Sequence, residues 1–280
     1  MAKISVIGIS GASYFMTVDH FHENGETLAA DTIHCEMGGK GINQAIAAAR
    51  MGAEVSFLAA VGNDDGGRKT EECCRENGIR CTLIKKAVPT ATAFILTDKS
   101  GENRVTVYRG AELEALDVDF FEKEIKTSNV LLLQNEVPEE VNVRAVKIAE
   151  RYGVKVILNP APARSLSDGL VRRVWLVTPN EQESKFIDFD LFPNTVVTLG
   201  KKGCLINGTT TVPATPDKPV DTTGAGDTFN GVLSVCIAEG MSLEEACRFG
   251  NTASGISITR KYVIDAIPTR EEIERKMRNE

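Results

Sequence analysis

Short apolar runs rich in β-branched residues alternate with amphipathic stretches along most of the chain. The apolar runs predict six strands, at Ile4–Ile9, Val55–Ala60, Val130–Gln134, Val154–Leu158, Val174–Val177 and Val196–Leu199. Helical spacing lies between most of them and is clearest in two sets: Ile42, Ala45, Ile46 and Ala49, then Phe229, Val232, Leu233, Cys236 and Ile237. Strands that alternate with helices favour a mostly parallel central sheet, so the pattern predicts a three-layer α/β protein.

Two segments depart from this alternation. Residues 14–36 are polar with scattered apolar positions, and Ala91–Thr97 and Asn103–Arg109 flank a polar turn typical of a hairpin. Together they predict a small antiparallel sheet beside the core, here called the lid (residues about 12–36 and 90–110). An open lid edge would favour a homodimer. The sequence has no repeat or linker, so residues 1–280 are predicted to form one domain with a lid.

Composition and charge exclude several classes of protein. Of the 280 residues, 42% are hydrophobic and 25% charged, which is typical of a globular chain with one core. The net charge of -7 predicts no nucleic-acid or membrane partner. The sequence contains no run of 18 apolar residues, so we expect no membrane span. Seven cysteines without a C-x-x-C pair indicate reduced thiols in the cytoplasm. His20 and His22 are either metal ligands on one strand face or solvated lid residues.

The segment Asp221–Gly231 carries small residues into an amphipathic helix. The free N–H groups and the positive end of such a helix form a site for an anion. Asp227 would lie in the first turn, where its carboxylate could accept a proton from a hydroxyl during phosphoryl transfer. Equally, Asp227 could simply cap a core helix, and the local sequence leaves both interpretations open.

A second glycine-rich segment, Gly38–Ala45, also opens a helix and offers backbone N–H groups, a lysine and an amide to a polar ligand. It is not a Walker A loop, because His34 stands where the first glycine is needed and Gly41 follows the lysine. The first strand is followed by Gly8–Gly11 without a G-x-G-x-x-G turn, which disfavours a dinucleotide oxidoreductase.

Taken together, these segments resemble the ribokinase-like carbohydrate kinases, the PfkB family. Gly38–Gly67 resembles the first family signature and Asp221–Gly231 the second, while Asn159–Ala163 and Thr178–Glu183 match between them. The resemblance covers nearly the whole chain. It implies the ribokinase-like fold with a small β lid, and an ATP- and Mg²⁺-dependent kinase acting on a small sugar or sugar-like alcohol. The alternatives are a nucleoside or sugar-phosphate kinase of the same fold, or a catalytically weak sugar-binding sensor.

The resemblance also implies roles for single residues. Asp227 matches the catalytic base of the family, and the positions of its anion hole are matched by Gly224, Ala225 and Gly226. Substrate contacts match Gly11, Ser13, Gly39, Lys40, Asn43 and Glu136. Nucleotide contacts match Asn180, Thr198, Gly200, Gly203, Gly226 and Asn251, and Glu183 would organise Mg²⁺ through water. A loop for a monovalent cation such as K⁺ matches Asp221, Thr223, Ser257, Arg260, Tyr262 and Ala266.

Three departures from the family pattern refine these expectations. Between Asn180 and Thr198 the chain is about one helix shorter. Tyr262 and Ala266 stand where these kinases carry glycine and serine, which predicts a weakened dependence on K⁺ because a tyrosine adopts a positive φ less easily. Gly11 and Ser13 stand in place of an amide and an acid that bind sugar hydroxyls. This predicts that D-ribose is not the best substrate, and that space at Gly11 accommodates a larger or less hydroxylated ligand.

Overall fold

A computed structural model describes residues 1–279, and its elements alternate as the pattern predicts. The strands are β1 (Lys3–Ile7), β2 (Gly11–Thr17), β3 (Thr32–Gly38), β4 (Glu54–Gly62), β5 (Arg80–Lys86), β6 (Ala91–Thr97), β7 (Asn103–Tyr108), β8 (Val130–Gln134), β9 (Lys155–Asn159), β10 (Leu176–Val177), β11 (Val196–Thr198), β12 (Cys204–Ile206) and β13 (Thr210–Val212). The helices are α1 (Lys40–Arg50), α2 (Asp65–Glu76), α3 (Glu122–Thr127), α4 (Glu139–Tyr152), α5 (Asp168–Val171), α6 (Ala225–Ala238), α7 (Leu243–Ser257) and α8 (Arg270–Asn279).

Six parallel strands form the central sheet in the order β10-β9-β8-β1-β4-β5. The predicted three-layer α/β fold is confirmed, because helices cover both faces of this sheet. Side chains of β8 show the division. Val130 and Leu132 pack with α1 and α6, while Leu131 and Leu133 pack with α4, as expected when successive side chains point to opposite faces.

Two details of the sheet differ from the prediction. β5 was not predicted, because this edge strand carries charged residues at both ends and has no continuous apolar run. The predicted strand Val196–Leu199 lies instead in a separate antiparallel sheet, β11-β12-β13. It contacts the central sheet through two isolated bridges, Val177 to Thr195 and Asn180 to Thr198. The short segment between Asn180 and Thr198 holds only 3₁₀ turns, at Glu183–Phe186 and Phe189–Leu191.

The lid is a four-stranded sheet in the order β3-β2-β6-β7, built from both segments that the sequence analysis assigned to it. The outer pairs β2–β3 and β6–β7 are antiparallel, as predicted, whereas the central pair β2–β6 is parallel. The parallel pair arises because β2 and β6 follow the parallel strands β1 and β5 along the chain, and both enter the lid from the carboxyl ends of those strands. The single-domain organisation stays a prediction. In the described part of the chain, no helix is both long and apolar enough to cross a bilayer.

Candidate active site

The lid joins α1 through a single residue, Gly39, which lies beside the carboxyl end of β1. Gly39 has φ 108°, and a Cβ there would lie 2.7 Å from Ile9 Cγ2, so the close approach requires glycine. The next residue, Lys40, donates its backbone N–H to Glu136 Oε2 at 2.7 Å. The charge of Asp227 raises the pKa of Lys40, with Glu136 and Glu183 adding to that effect against burial. Burial raises the pKa of Glu136, and the Lys40 charge opposes it.

Asp227 lies in the first turn of α6, directly opposite the start of α1. Its side chain is buried, with the residue 6% exposed. Oδ2 accepts a hydrogen bond from Asn43 Nδ2 at 3.0 Å, and Oδ1 accepts one from Gln44 Nε2 at 3.0 Å. The carboxylate is therefore fixed by two neutral donors while Lys40 supplies the nearby positive charge.

The predicted anion hole precedes Asp227 at the helix start. Gly224 takes a left-handed conformation (φ 73°), which turns the chain into α6. A Cβ at Gly226 would meet no atom within 4 Å, so the helix start opens to the cleft there. The first N–H groups of a helix have no partner within it. Ala225 differs from the prediction in one respect, because its N–H already donates to Thr222 O at 3.3 Å.

A cleft of about 430 Å³ connects α6 to the residues predicted to bind nucleotide. Its walls bring together Lys40, Asp227, Gly224, Ala225, Gly226, Asn180, Glu183, Thr198, Gly200, Gly203 and Asn251, together with the unpredicted Thr222 and Ser254. Asn251 does not offer its amide donors to a ligand in this structure, since Nδ2 donates to Val212 O and Pro213 O. It holds the end of β13 at the cleft wall.

Glu183 is the predicted residue for Mg²⁺. Its carboxylate accepts hydrogen bonds from Asn180 Nδ2 at 2.8 Å and from Asn180 N at 2.9 Å, so the motif forms one compact turn. Among residues 1–279, no group of three or more His, Cys, Asp or Glu side chains is arranged to hold a metal by itself. A single carboxylate at the rim of an anion cleft is consistent with Mg²⁺ bound mainly by phosphates and water. His20 instead contacts the carboxylates of Asp19 and Glu26.

The predicted cation loop is tied to the lid. Asp221 Oδ1 accepts hydrogen bonds from Thr223, and Asp221 Oδ2 accepts one from Tyr262 N at 3.1 Å. Tyr262 has φ 67°, so it does adopt the conformation that the sequence analysis considered unfavourable. Its ring stacks on His34 of β3 at 3.7 Å and meets Phe15 edge-on at 5.6 Å. This packing offsets a backbone cost of roughly 1–2 kcal/mol.

Glu36, which is not among the predicted site residues, also belongs to this junction. The Glu36 carboxylate is 8% exposed and accepts hydrogen bonds from Val263 N and Ile264 N at 2.9 and 3.1 Å. Burial raises the pKa of Glu36, and the two backbone hydrogen bonds partly oppose that rise. Glu36 and His34 share one face of β3, a period-two signal that could have marked them as a pair. Ser257, Arg260 and Ala266 lie in the same region, where Arg260 Nη1 donates to Ala266 O at 3.4 Å.

The side of the site predicted to bind the sugar corrects one expectation. Gly11 is buried between β3 and β6, and a Cβ at this position would clash with Ala91 O. Position 11 therefore offers no spare room to a ligand, and the prediction of extra space there is wrong. Ser13 lies two residues further along β2, half-buried against Gly38, and contributes one short hydroxyl. Asp19 is exposed and paired with Lys99, away from this position.

A sequence profile described as pfkB family carbohydrate kinase matches residues 1–270. The chain belongs to this family of carbohydrate kinases. The PfkB-family match confirms the predicted enzyme class, a phosphotransferase with an alcohol group as acceptor. Kinases of the ribokinase family use ATP, as nucleotide complexes of related structures show.

Individual PfkB-family relatives match over almost the full length. Ribokinase of Haemophilus influenzae is 37% identical over 294 residues, covering 96% of both chains. The structure of Thermotoga maritima ribokinase superposes with a TM-score of 0.91 at 37% identity and covers 100% of both chains. Arabidopsis thaliana ribokinase, complexed with ribose and ATP, gives a TM-score of 0.88 at 26% identity over 98% of both chains.

Proposed function

We propose that this carbohydrate kinase transfers the γ-phosphoryl group of ATP, with Mg²⁺, to a primary hydroxyl of a small sugar or sugar-like alcohol other than D-ribose. The main support for the transfer is the buried Asp227, held by Asn43 and Gln44 at the start of a glycine-rich helix. The main support for the acceptor is the pair Gly11 and Ser13 on β2, where neither residue supplies a carboxylate or an amide side chain.

The proposed transfer uses each group of the site once. The acceptor oxygen attacks the γ-phosphorus, the bond to the bridging oxygen of ADP breaks, and the hydroxyl proton passes to Asp227. N–H groups of Gly224 and Gly226, with the positive end of α6, stabilise the charge on the transferring group. Lys40 lies in the same cleft and balances negative charge near Asp227. Glu183 would hold the metal through water.

The acceptor preference follows from the chemistry at β2. A charge-assisted hydrogen bond is worth about 1.5–3 kcal/mol, or roughly one to two decades in affinity. The single hydroxyl of Ser13 cannot replace a carboxylate that accepts hydrogen bonds from two sugar hydroxyls at once. Its neighbour across the strand pair, Glu36, is already engaged by Val263 and Ile264. A sugar with fewer hydroxyls on this side therefore suits the site better than ribose.

D-ribose itself is the second candidate, because the relatives at 37% identity are named ribokinase. A panel of sugars, deoxysugars, sugar phosphates and nucleosides, assayed by ADP release with and without K⁺, separates the two. We expect a non-ribose acceptor to give the highest kcat/KM. A ribose kcat/KM above all others and at or beyond about 10⁴ M⁻¹s⁻¹ would show that the acceptor proposal is wrong. If none of the acceptors in the panel causes ADP release, the result would favour the weak sensor.

The lid is the proposed dimer surface. It exposes Val105 (58%) and Val107 (57%), which lie on one face of the edge strand β7. Side chains of this kind in one region favour a protein partner, and the open β7 edge permits pairing with a second copy. Sedimentation of the wild-type chain and of Val107→Lys tests this. A dimer that Val107→Lys weakens supports the proposal, and a strict wild-type monomer contradicts it.

A further inference from the structure

Behind Asp227 lies a row of buried amide side chains that the sequence analysis did not single out. Gln44 of α1 and Gln134 of β8 are 0% exposed, and Asn159 of β9 is 6% exposed. Buried amides are costly unless they form hydrogen bonds. These three bond to one another and end on the Asp227 carboxylate, so they connect the two sides of the site through the core.

The hydrogen bonds fix the direction of the Gln44 amide. Gln134 Nε2 donates to Gln44 Oε1 at 2.8 Å, so the Gln44 carbonyl faces β8. Gln44 Nε2 then donates to Asp227 Oδ1 at 3.0 Å and to Asn159 Oδ1 at 3.1 Å. Asn159 is oriented in turn, because its Nδ2 donates to Thr178 O at 3.1 Å. A reversed Gln44 amide would place its oxygen against two acceptor oxygens and lose the Gln134 bond.

Two glycines allow the elements to approach closely enough for these bonds. A Cβ at Gly8, in the connection between β1 and β2, would clash with Gln134 Oε1. A Cβ at Gly231, one helical turn after Asp227, would lie 2.5 Å from Ala47 Cβ and 2.6 Å from Gln44 O. The distance between α1 and α6 is therefore set by Gly231, and that distance brings Gln44 within reach of the carboxylate.

We infer that Gln44 is a positioning residue that holds the Asp227 carboxylate in the orientation needed to take the acceptor's proton. Asn43 binds Oδ2 on the sugar side, and Gln44 binds Oδ1 on the core side. With both oxygens held, the carboxylate does not rotate, and Oδ2 stays directed at the acceptor. The Asp227 charge in turn raises the pKa of its charged neighbour Lys40, and burial together with that charge raises the pKa of Glu136. The inference rests on the proposed role of Asp227 as base.

Two substitutions of Gln44 test the inference. Gln44→Met keeps the volume and removes the donor, and we expect kcat to fall about ten- to a hundredfold with KM for ATP and acceptor within about twofold. Gln44→Glu places a second carboxylate against Asp227, and the two then share one proton at low pH. We expect the acid limb of its pH–kcat profile to move at least about one pH unit upward. Asn77→Asp, a helix-end amide of α2 bonded to Cys73 O, is the matched control with wild-type kinetics.

A double-mutant cycle separates this inference from the proposal about Asp227. In the Asp227→Asn background, Gln44→Met is expected to cause less than about a twofold further loss, because its effect acts through the missing carboxylate. A full additive loss, or a Gln44→Met enzyme with wild-type kcat, would overturn the positioning role. An Asp227→Asn enzyme with normal kcat would instead overturn the base. If Gln44→Met fails to fold, an unshifted pH profile for Gln44→Glu contradicts the inference.

Discussion

At the start of α6 the polar side chains are buried and paired, whereas on the lid apolar side chains face solvent. Asp227 and Gln44 are at most 6% exposed, while Val105 and Val107 are more than half exposed. In the first region, hydrogen bonds from amide side chains hold the Asp227 carboxylate in place. The second region offers a surface that a substrate or a second copy can cover. Our proposals therefore assign the proton transfer and the acceptor preference at Ser13 to different parts of the chain, and substitutions can test each one separately.

The strongest test of this division is Asp227→Asn, which keeps the shape and removes the proposed base. Loss of general-base catalysis typically lowers the rate by about 10²–10⁴-fold, and we expect kcat to fall within that range. Affinity for ATP, measured by titration calorimetry, is expected to stay within about twofold, because the cleft predicted to bind nucleotide is otherwise unchanged. A variant that keeps more than half of the wild-type kcat contradicts the proposed role.

On the lid side, Ser13→Asp restores an acid without touching the transfer centre. We expect kcat/KM for D-ribose to rise about tenfold or more, because a charge-assisted hydrogen bond to the sugar is gained. Ser13→Ala is the matched control and is expected to give no gain. Gly11→Asn is a poor companion, since any side chain there clashes with Ala91 O and moves the lid. Unchanged ribose kinetics in Ser13→Asp would count against our account of β2.

The junction between the two regions predicts a weak response to K⁺. Asp221 already accepts the Tyr262 N–H, and Tyr262 is packed on His34, so the loop is ordered by protein contacts. We expect less than a tenfold rise in kcat when K⁺ replaces Na⁺. Tyr262→Gly removes the stack and is expected to increase the K⁺ response severalfold. The prediction is wrong if the wild type gains tenfold or more, and steady-state rates at fixed ionic strength decide.

The smallest expected effect concerns stability at Glu136. Burial raises its pKa above the unfolded value, so its contribution to stability is complete below the unfolded pKa and is lost as pH rises through the folded pKa. Ionised Glu136 therefore lowers stability at neutral pH. Glu136→Gln is expected to raise Tm by about 1–3 °C at pH 7.5, with no gain near pH 4. Thermal melts across this range check the sign, and a pH-independent difference would contradict it.

How much the sequence could predict depended on how local each feature is. The α6 start was predictable because Gly224 and Asp227 lie within one short motif and act through the same helix turn. Gln44 was not, because its partner Asp227 is 183 residues away. Only the fold shows that α1 and α6 touch at Gly231. Within the apolar run of β8, the lone polar Gln134 was the single local sign of a buried network.

The same reasoning explains the error at Gly11. In the sequence, a missing side chain at position 11 suggests free space. In the lid, however, β6, which begins 80 residues later, pairs with β2 and fills the space beside Gly11. β5 was missed for a related reason, since an edge strand needs fewer apolar residues than a central one. Interactions between distant segments therefore account for most of what the sequence did not predict.

The single-residue connection at Gly39 has a consequence for engineering new specificities. β3 leads through this one glycine into the helix that carries Asn43 and Gln44, so an exchange of that half of the lid would disturb the reaction centre. Strand β7 is different, because it is an exposed edge strand that pairs only with β6 and supplies no side chain to Asp227. Libraries aimed at new acceptors should therefore randomise β7, and leave β6 and the β3–α1 connection as they are.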